Sequence, residues 1–131
     1  MSPFLQTGAK LSGLLLTNSP VRDIMIAMGQ IQRPALGHEA SGIIHRVGNK
    51  VTRFAPGDRV IYMGVSAMQT TIRSHESCVH ILPNNLTLEE GVTIPIAYAT
   101  AYQSLVEVAR MQKGESVLIH AAAGGETSIH H

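Results

Sequence analysis

Three short stretches hold residue types that could do chemistry. In "GHEASG", His38 stands beside Glu39, and imidazole with carboxylate is a donor set that zinc accepts. A catalytic zinc needs at least three protein ligands, and no Cys or His precedes His38. The residues therefore favour a structural role: Gly37 and Gly42 for tight backbone turns, Glu39 as a satisfied polar group. In "VRDIMIAMG", Arg22 and Asp23 precede an apolar alternation. They read either as an ion pair capping a short helix or as groups at the mouth of a cofactor cleft. In "HAAAGG", small residues follow an apolar run, as where backbone amides approach a pyrophosphate at a helix start. Gly124 and Gly125 are followed by Glu126, whose carboxylate would repel phosphate, so this motif alone is weak. The histidines His45, His75, His80 and His120 form no triad that sequence can show. There is no G-x-S-x-G elbow, and Cys78 carries no marker of a nucleophile.

The elements that must position these residues fall into two regions. Between Gly37 and Val65, apolar runs at Gly42 to Val47 and Arg59 to Val65 are separated by Gly48-Asn49 and Pro56-Gly57-Asp58. These are strand and turn signals, and "TTIRSHESCVHILP" continues them. After Pro83 the pattern changes. Thr87 followed by Glu90 fits a capping box, which predicts a short helix from about Leu88. Pro95 opens a helix predicted to run to Met111, because Tyr98, Tyr102, Leu105, Val106 and Ala109 recur on one helical face. Lys113-Gly114 ends it. The run from Ser116 to His120 then suits a parallel strand covered on both faces, the first strand of a nucleotide-binding unit.

Composition narrows the function classes. The chain has 131 residues, 44% hydrophobic and 15% charged, with a formal net charge of +1, which describes one ordinary folded core and not a disordered chain. Ten Lys and Arg are scattered among nine Asp and Glu, leaving no basic stripe for nucleic acid. A single cysteine excludes an internal disulfide and any zinc lobe of several thiolates. No apolar stretch approaches the ~20 residues that span a bilayer. Lys10 precedes only a very short "LLL" core, so a signal peptide is not favoured and a cytoplasmic location is expected.

Taken together, "RDIMIAMGQI", "LGHEASGIIHRVGNKVTRFAPGDRV" and "LPNNLTLEEGVTIPIAYATAYQSLVEVARMQKGESVLIHAAAGG" resemble, in order and spacing, the enoyl-reductase domain of highly reducing fungal polyketide synthases. That domain belongs to the zinc-free, quinone-oxidoreductase-like branch of the medium-chain dehydrogenase/reductase superfamily. The resemblance covers about Arg22 to Gly125. It implies an α+β fold: a GroES-like barrel over residues 1–94, then over 95–131 a linking helix and the first strand of a Rossmann domain. It also implies NADPH in the cleft between the two domains, and an α,β-unsaturated acyl thioester on an acyl carrier domain as substrate. Hydride would go to the β-carbon and a proton to the α-carbon. By the same resemblance Arg22, Asp23, Thr100, Ala122, Ala123, Gly124 and Gly125 match cofactor-binding positions, although Pro20 and Val21 replace the Asn and Phe usual before Arg22. No zinc is implied, since Pro20 stands where the zinc enzymes place a cysteine, and no catalytic residue is assigned.

Two departures shape the expectation for activity. "MSPFLQTGAKLSGLLLTNSP" lacks the alternation of charged and β-branched residues of the family's first barrel strands. After Gly125 the family continues through a long Rossmann fold, where this chain reads Glu126 to His131. The chain is therefore expected to be an inactive fragment of the reductase, with an apolar edge near Val117 to Ile119 prone to association. A quinone oxidoreductase and a non-enzymatic GroES-like module are the alternatives.

Overall fold

The computed structural model describes residues 8–12, 16–17, 21–33 and 35–120. Six strands form one antiparallel sheet system: β1 (Gly8–Ser12), β2 (Leu16–Thr17), β3 (Glu39–Val47), β4 (Arg59–Met63), β5 (Thr71–His75) and β6 (Val79–Ile81). The strand order is β5-β1-β3-β4-β6, with β2 also pairing β3. Among the described residues three helices accompany them: α1 (Val21–Ala27), α2 (Leu88–Gly91) and α3 (Pro95–Tyr102). Helix α3 continues as a π-helical turn over Gln103–Val108. This is the mixed α+β architecture that the sequence led us to expect, with a sheet that is open among the described residues.

Strand β3 organises the rest, because among the described residues it pairs with three strands, β1, β2 and β4. Successive side chains of a strand point to opposite faces, and here both faces are put to use. Ala40 and Ile44 face the core with Val60 and Tyr62 of β4, Ile72 of β5 and Val79 of β6. Phe54, Val51 and Ala67 close that core from the loops. The opposite face carries Glu39 and Ser41, both buried, and then Ile43, which emerges at the surface. A polar pair buried in the first half of a strand signals that something covers it. The covering elements are α2 and α3.

The turns use the residues expected of them. Gly57 has a positive φ of 97°, where a side chain would be strained. Its amide donates to the Ile44 carbonyl at 2.8 Å, and the Asp58 carboxylate accepts the Ala55 amide at 2.8 Å. The capping box is complete: the Glu90 amide donates to Thr87 Oγ1 at 3.1 Å and the Thr87 amide to Glu90 Oε2 at 2.7 Å. Gly91 faces Leu82 and Ile61 so closely that a Cβ there would lie 2.8 Å from Leu82 Cδ1. Its lack of a side chain lets α2 lie against the sheet.

Four expectations need correction. Residues 1–20 lack the alternation of charged and β-branched residues expected of first barrel strands, yet Gly8–Ser12 and Leu16–Thr17 are strands. They form because β3 offers ladder partners on its free edge, and tertiary pairing overrides weak local preference. Gly42 is not at a turn; it lies within β3 opposite Val60. The long helix stops short of Met111, since a π-helical turn follows Tyr102 and Arg110 takes a left-handed φ of 52°. Its apolar stripe has the right period but no cover among the described residues, with Tyr98, Tyr102 and Val106 about half exposed. Finally, Ser116 to Ile119 carries no ladder, and Leu118 is 80% exposed. A strand exists only by pairing, and among the described residues none pairs with it.

Tyr62 gives the core a testable polar point. Its ring lies against the backbone of Gly64, and its hydroxyl donates to the Val65 carbonyl at 2.9 Å. Burial, and secondarily the nearby Cys78, raise its pKa above the usual 10.0. Because the unfolded chain then ionises more readily, this contribution is complete below about pH 10 and fades as pH rises toward the folded value. Tyr62→Phe is expected to cost about 1 kcal/mol at pH 7 and to flatten the alkaline loss of stability, measured by urea unfolding between neutral pH and pH above 10.

Candidate functional site

The site assembles where the loop before β3 meets α1 and the start of α3. Gly37 adopts a φ of 79°, which turns its amide toward Asp23 in the first turn of α1. That amide donates to Asp23 Oδ2 at 3.2 Å. A Cβ on Gly37 would lie 2.5 Å from the Met68 backbone nitrogen, so both conformation and space require glycine. The next residue, His38, brings Nδ1 within 3.6 Å of Asp23 Oδ1, somewhat longer than a hydrogen bond. Both atoms are buried and neither has a hydrogen-bond partner among the described residues. The Asp23 side chain is 1% exposed and that of His38 20%. The carboxylate is sealed in, while part of the imidazole reaches the surface.

One residue further, Glu39 turns to the other side of the loop. It is buried, and its Oε2 accepts the backbone amide of Ile96 at 2.9 Å. Ile96 follows Pro95 at the opening of α3, where amide hydrogens have no partner within the helix and the helix dipole favours negative charge. Ser41, two positions along the same face, donates its hydroxyl to the Leu88 carbonyl of α2. The strand thus holds both helices by polar side chains that emerge between apolar ones. Beside the start of α3 lies a groove of about 200 Å³ lined by Ile61, Met63, His80, Ile94, Pro95 and Ala99.

Of the residues expected to bind a cofactor, Asp23 falls in this site, but buried and turned toward Gly37 and His38. Arg22 lies in α1. Thr100 is exposed on α3, one helical turn beyond Ile96. Ala122, Ala123, Gly124 and Gly125 lie outside the described residues. Glu39 is the satisfied polar group expected of it. Among the described residues, no group of three or more His, Cys, Asp and Glu gathers closely enough to hold a metal ion. The approach of Asp23 and His38 had no signal in sequence, because the two lie fifteen positions apart with no spacing rule that joins them.

Residues 17–105 match the model of the alcohol dehydrogenase GroES-like domain. A highly reducing polyketide synthase from Didymella fabae is 49% identical over 104 residues, covering 79% of this chain and 6% of the synthase. The chain thus spans only a small part of that protein's length. Among solved structures, the CurK enoyl reductase superposes with a TM-score of 0.84 at 28% identity, covering 94% of this chain and 41% of that one. The Escherichia coli quinone oxidoreductase complexed with NADPH gives 0.78 at 26% identity, covering 93% and 39%.

Two substitutions test the site's construction. Glu39→Ala is expected to lower stability by about 1.5–3 kcal/mol, the range for hydrogen bonds to charged groups, and to speed hydrogen exchange at the Ile96 amide specifically. Unchanged exchange there would remove Glu39 as the clamp on α3. Gly37→Ala is expected to cost about 1–3 kcal/mol through strain at a positive φ, read as a lowered denaturation midpoint.

Proposed function

The chain belongs to the alcohol dehydrogenase GroES-like domain family, and from that membership we propose that it is the barrel portion of an NADPH-dependent enoyl reductase acting in polyketide synthesis. The observation that carries this reading is the 49% identity to a highly reducing polyketide synthase across most of the chain. Supporting it are the likeness to the CurK enoyl reductase and the NADPH held by the quinone oxidoreductase of similar fold. The proposed reaction is reduction of the double bond of an α,β-unsaturated acyl thioester presented by an acyl carrier domain.

The chemistry of the residues present is compatible with such a cofactor in one respect. A nicotinamide riboside is uncharged at its amide and hydroxyls and is best met by neutral polar groups. On this reading the exposed Thr100 supplies one, while the Asp23 carboxylate is withdrawn into the fold. NADPH, when bound, supplies the hydride. The chain's own part is to orient and enclose: Glu39 fixes the start of α3, and that helix carries Thr100. Such positioning turns an encounter into an aligned reaction. Arg22 and the stretch Ala122 to Gly125 are proposed as further cofactor contacts, the latter at the pyrophosphate. The domain division at residues 94 and 95 is proposed likewise, since α3 opens at Pro95. Among the described residues no helix is long and apolar enough to cross a membrane.

The quinone oxidoreductase reading is favoured by fold likeness alone, at 26% identity, and ranks second. The decisive experiment places this chain in the Didymella fabae synthase reductase in place of the segment it matches. The chimera is expected to oxidise NADPH with a crotonyl pantetheine thioester and only slowly with 1,4-benzoquinone. The chain by itself is expected to show no turnover. A quinone preference would favour the second reading. A folded chimera active on neither would leave a non-enzymatic GroES-like module, and turnover by the chain alone would overturn its proposed dependence on a partner domain.

A further inference from the structure

We propose that the outer face of β1, β3 and β5 is a docking surface for an acidic helix of a protein partner, built on a row of three basic residues, Arg46, Lys10 and Arg73. Lys10 of β1 lies opposite Arg46 of β3 on one side and opposite Arg73 of β5 on the other. Three residues far apart in the sequence thus stand side by side across three strands. Residues directly opposite share a face of the sheet, and like charges so placed cost stability. The face is turned away from the core: Arg46 and Arg73 are exposed, whereas their neighbours Ile44 and Ile72 are buried. An irregularity in β3 sets the arrangement. Its register with β1 shifts between Lys10 and Leu11, whose partners are Arg46 and Ile44, so His45 has no counterpart in β1. Alternation fails at that point, and His45 and Arg46 are both exposed. In a regular strand Arg46 would follow Ile44 toward the core; the bulge aims it outward into the row.

No carboxylate among the described residues answers these charges. Neither Arg46 nor Arg73 makes an ion pair or a hydrogen bond there. Strands β1 and β5 contain no Asp or Glu, and the one acid of β3, Glu39, is buried at its other end. The next positions in the register, Ser12 with Thr71 and Gly8 with His75, bring no carboxylate to the face. The chain as a whole has a formal net charge of +1, so the concentration is local. The spacing of the row then selects its partner. Neighbouring strands lie about 4.8 Å apart, which sets the backbones of Arg46 and Arg73 about 10 Å from each other with Lys10 midway. On a helix, carboxylates at i, i+4 and i+7 follow at about 5–6 Å and span about 10 Å. An acidic helix laid across the strands meets the three positions in step. A single phosphate matches no such period, and three basic residues are fewer than the ~6–10 phosphate contacts of a protein that binds a duplex.

The test titrates the 131-residue chain with an alanine-based helical peptide carrying glutamates at i, i+4 and i+7. An isomer of the same composition, with its glutamates spread around the helix, is the control. The first peptide is expected to bind saturably and to shift the Lys10, Arg46 and Arg73 amide resonances, and the isomer to bind more weakly. Arg46→Gln and Arg73→Gln are each expected to weaken the peptide about threefold, the scale of one exposed ion pair. Both side chains are exposed and unpaired, so these variants should fold, with a urea midpoint unchanged or raised by the relief of repulsion. Lys113→Gln removes the same charge away from the row and is expected to leave the affinity unchanged. Raising the salt from about 0.1 M to 1 M should abolish binding, since exposed charges are screened. No binding of either peptide, equal binding of the two, or equal weakening by Lys113→Gln overturns the proposal. Tighter binding of inorganic pyrophosphate or of poly(U) RNA than of the peptide overturns the acidic helix as occupant. An inactive reductase chimera would defeat the NADPH reading and leave this surface untouched.

Discussion

The buried carboxylate of Glu39 is the constraint on which the rest of the arrangement depends. It sits on a strand whose other face is the hydrophobic core, so it cannot reach water without disturbing that core. It must find donors inside the fold, and the Ile96 amide at the opening of α3 is one. A helix that begins with proline leaves its next amides free, and a carboxylate there meets both an unpaired donor and the positive end of the helix. One residue therefore joins the sheet to the helix leading away from it. Ser41 repeats the arrangement on a smaller scale with α2.

The same short loop turns a second carboxylate to a different purpose. Gly37, His38 and Glu39 are consecutive, yet their polar groups serve two neighbours, α1 through Asp23 and α3 through Ile96. The left-handed backbone at Gly37 makes this possible by redirecting an amide that would otherwise run along the strand. Packing leaves little freedom here, since the Met68 nitrogen closes the space where a side chain would project. The pair that resembles a metal-binding dipeptide on paper is split by strand alternation, with each member held by a different element.

Much of this was legible in the amino-acid order. The capping box of Thr87 and Glu90, the turn at Gly57 and the strands around Ile44 and Val60 rest on local geometry, which neighbouring residues specify. The family was legible from long matching stretches. The paired strands within residues 8–17 were not, because their own residues carry little strand preference and the edge of β3 recruits them. Nor was the end of the third helix, where the apolar stripe continues past the point at which the backbone departs from α-helical geometry.

What the sequence by itself determined, then, is whatever depends on residues close together in the chain: caps, turns, the period of each element, and the set of side chains able to bind or react. The tertiary structure alone decided which of those side chains meet. Asp23 and His38 are fifteen positions apart, and Glu39 lies fifty-seven from Ile96. Their pairing follows from the burial of polar groups that have to be satisfied within the fold, and no spacing rule along the chain encodes a contact made by folding it back on itself.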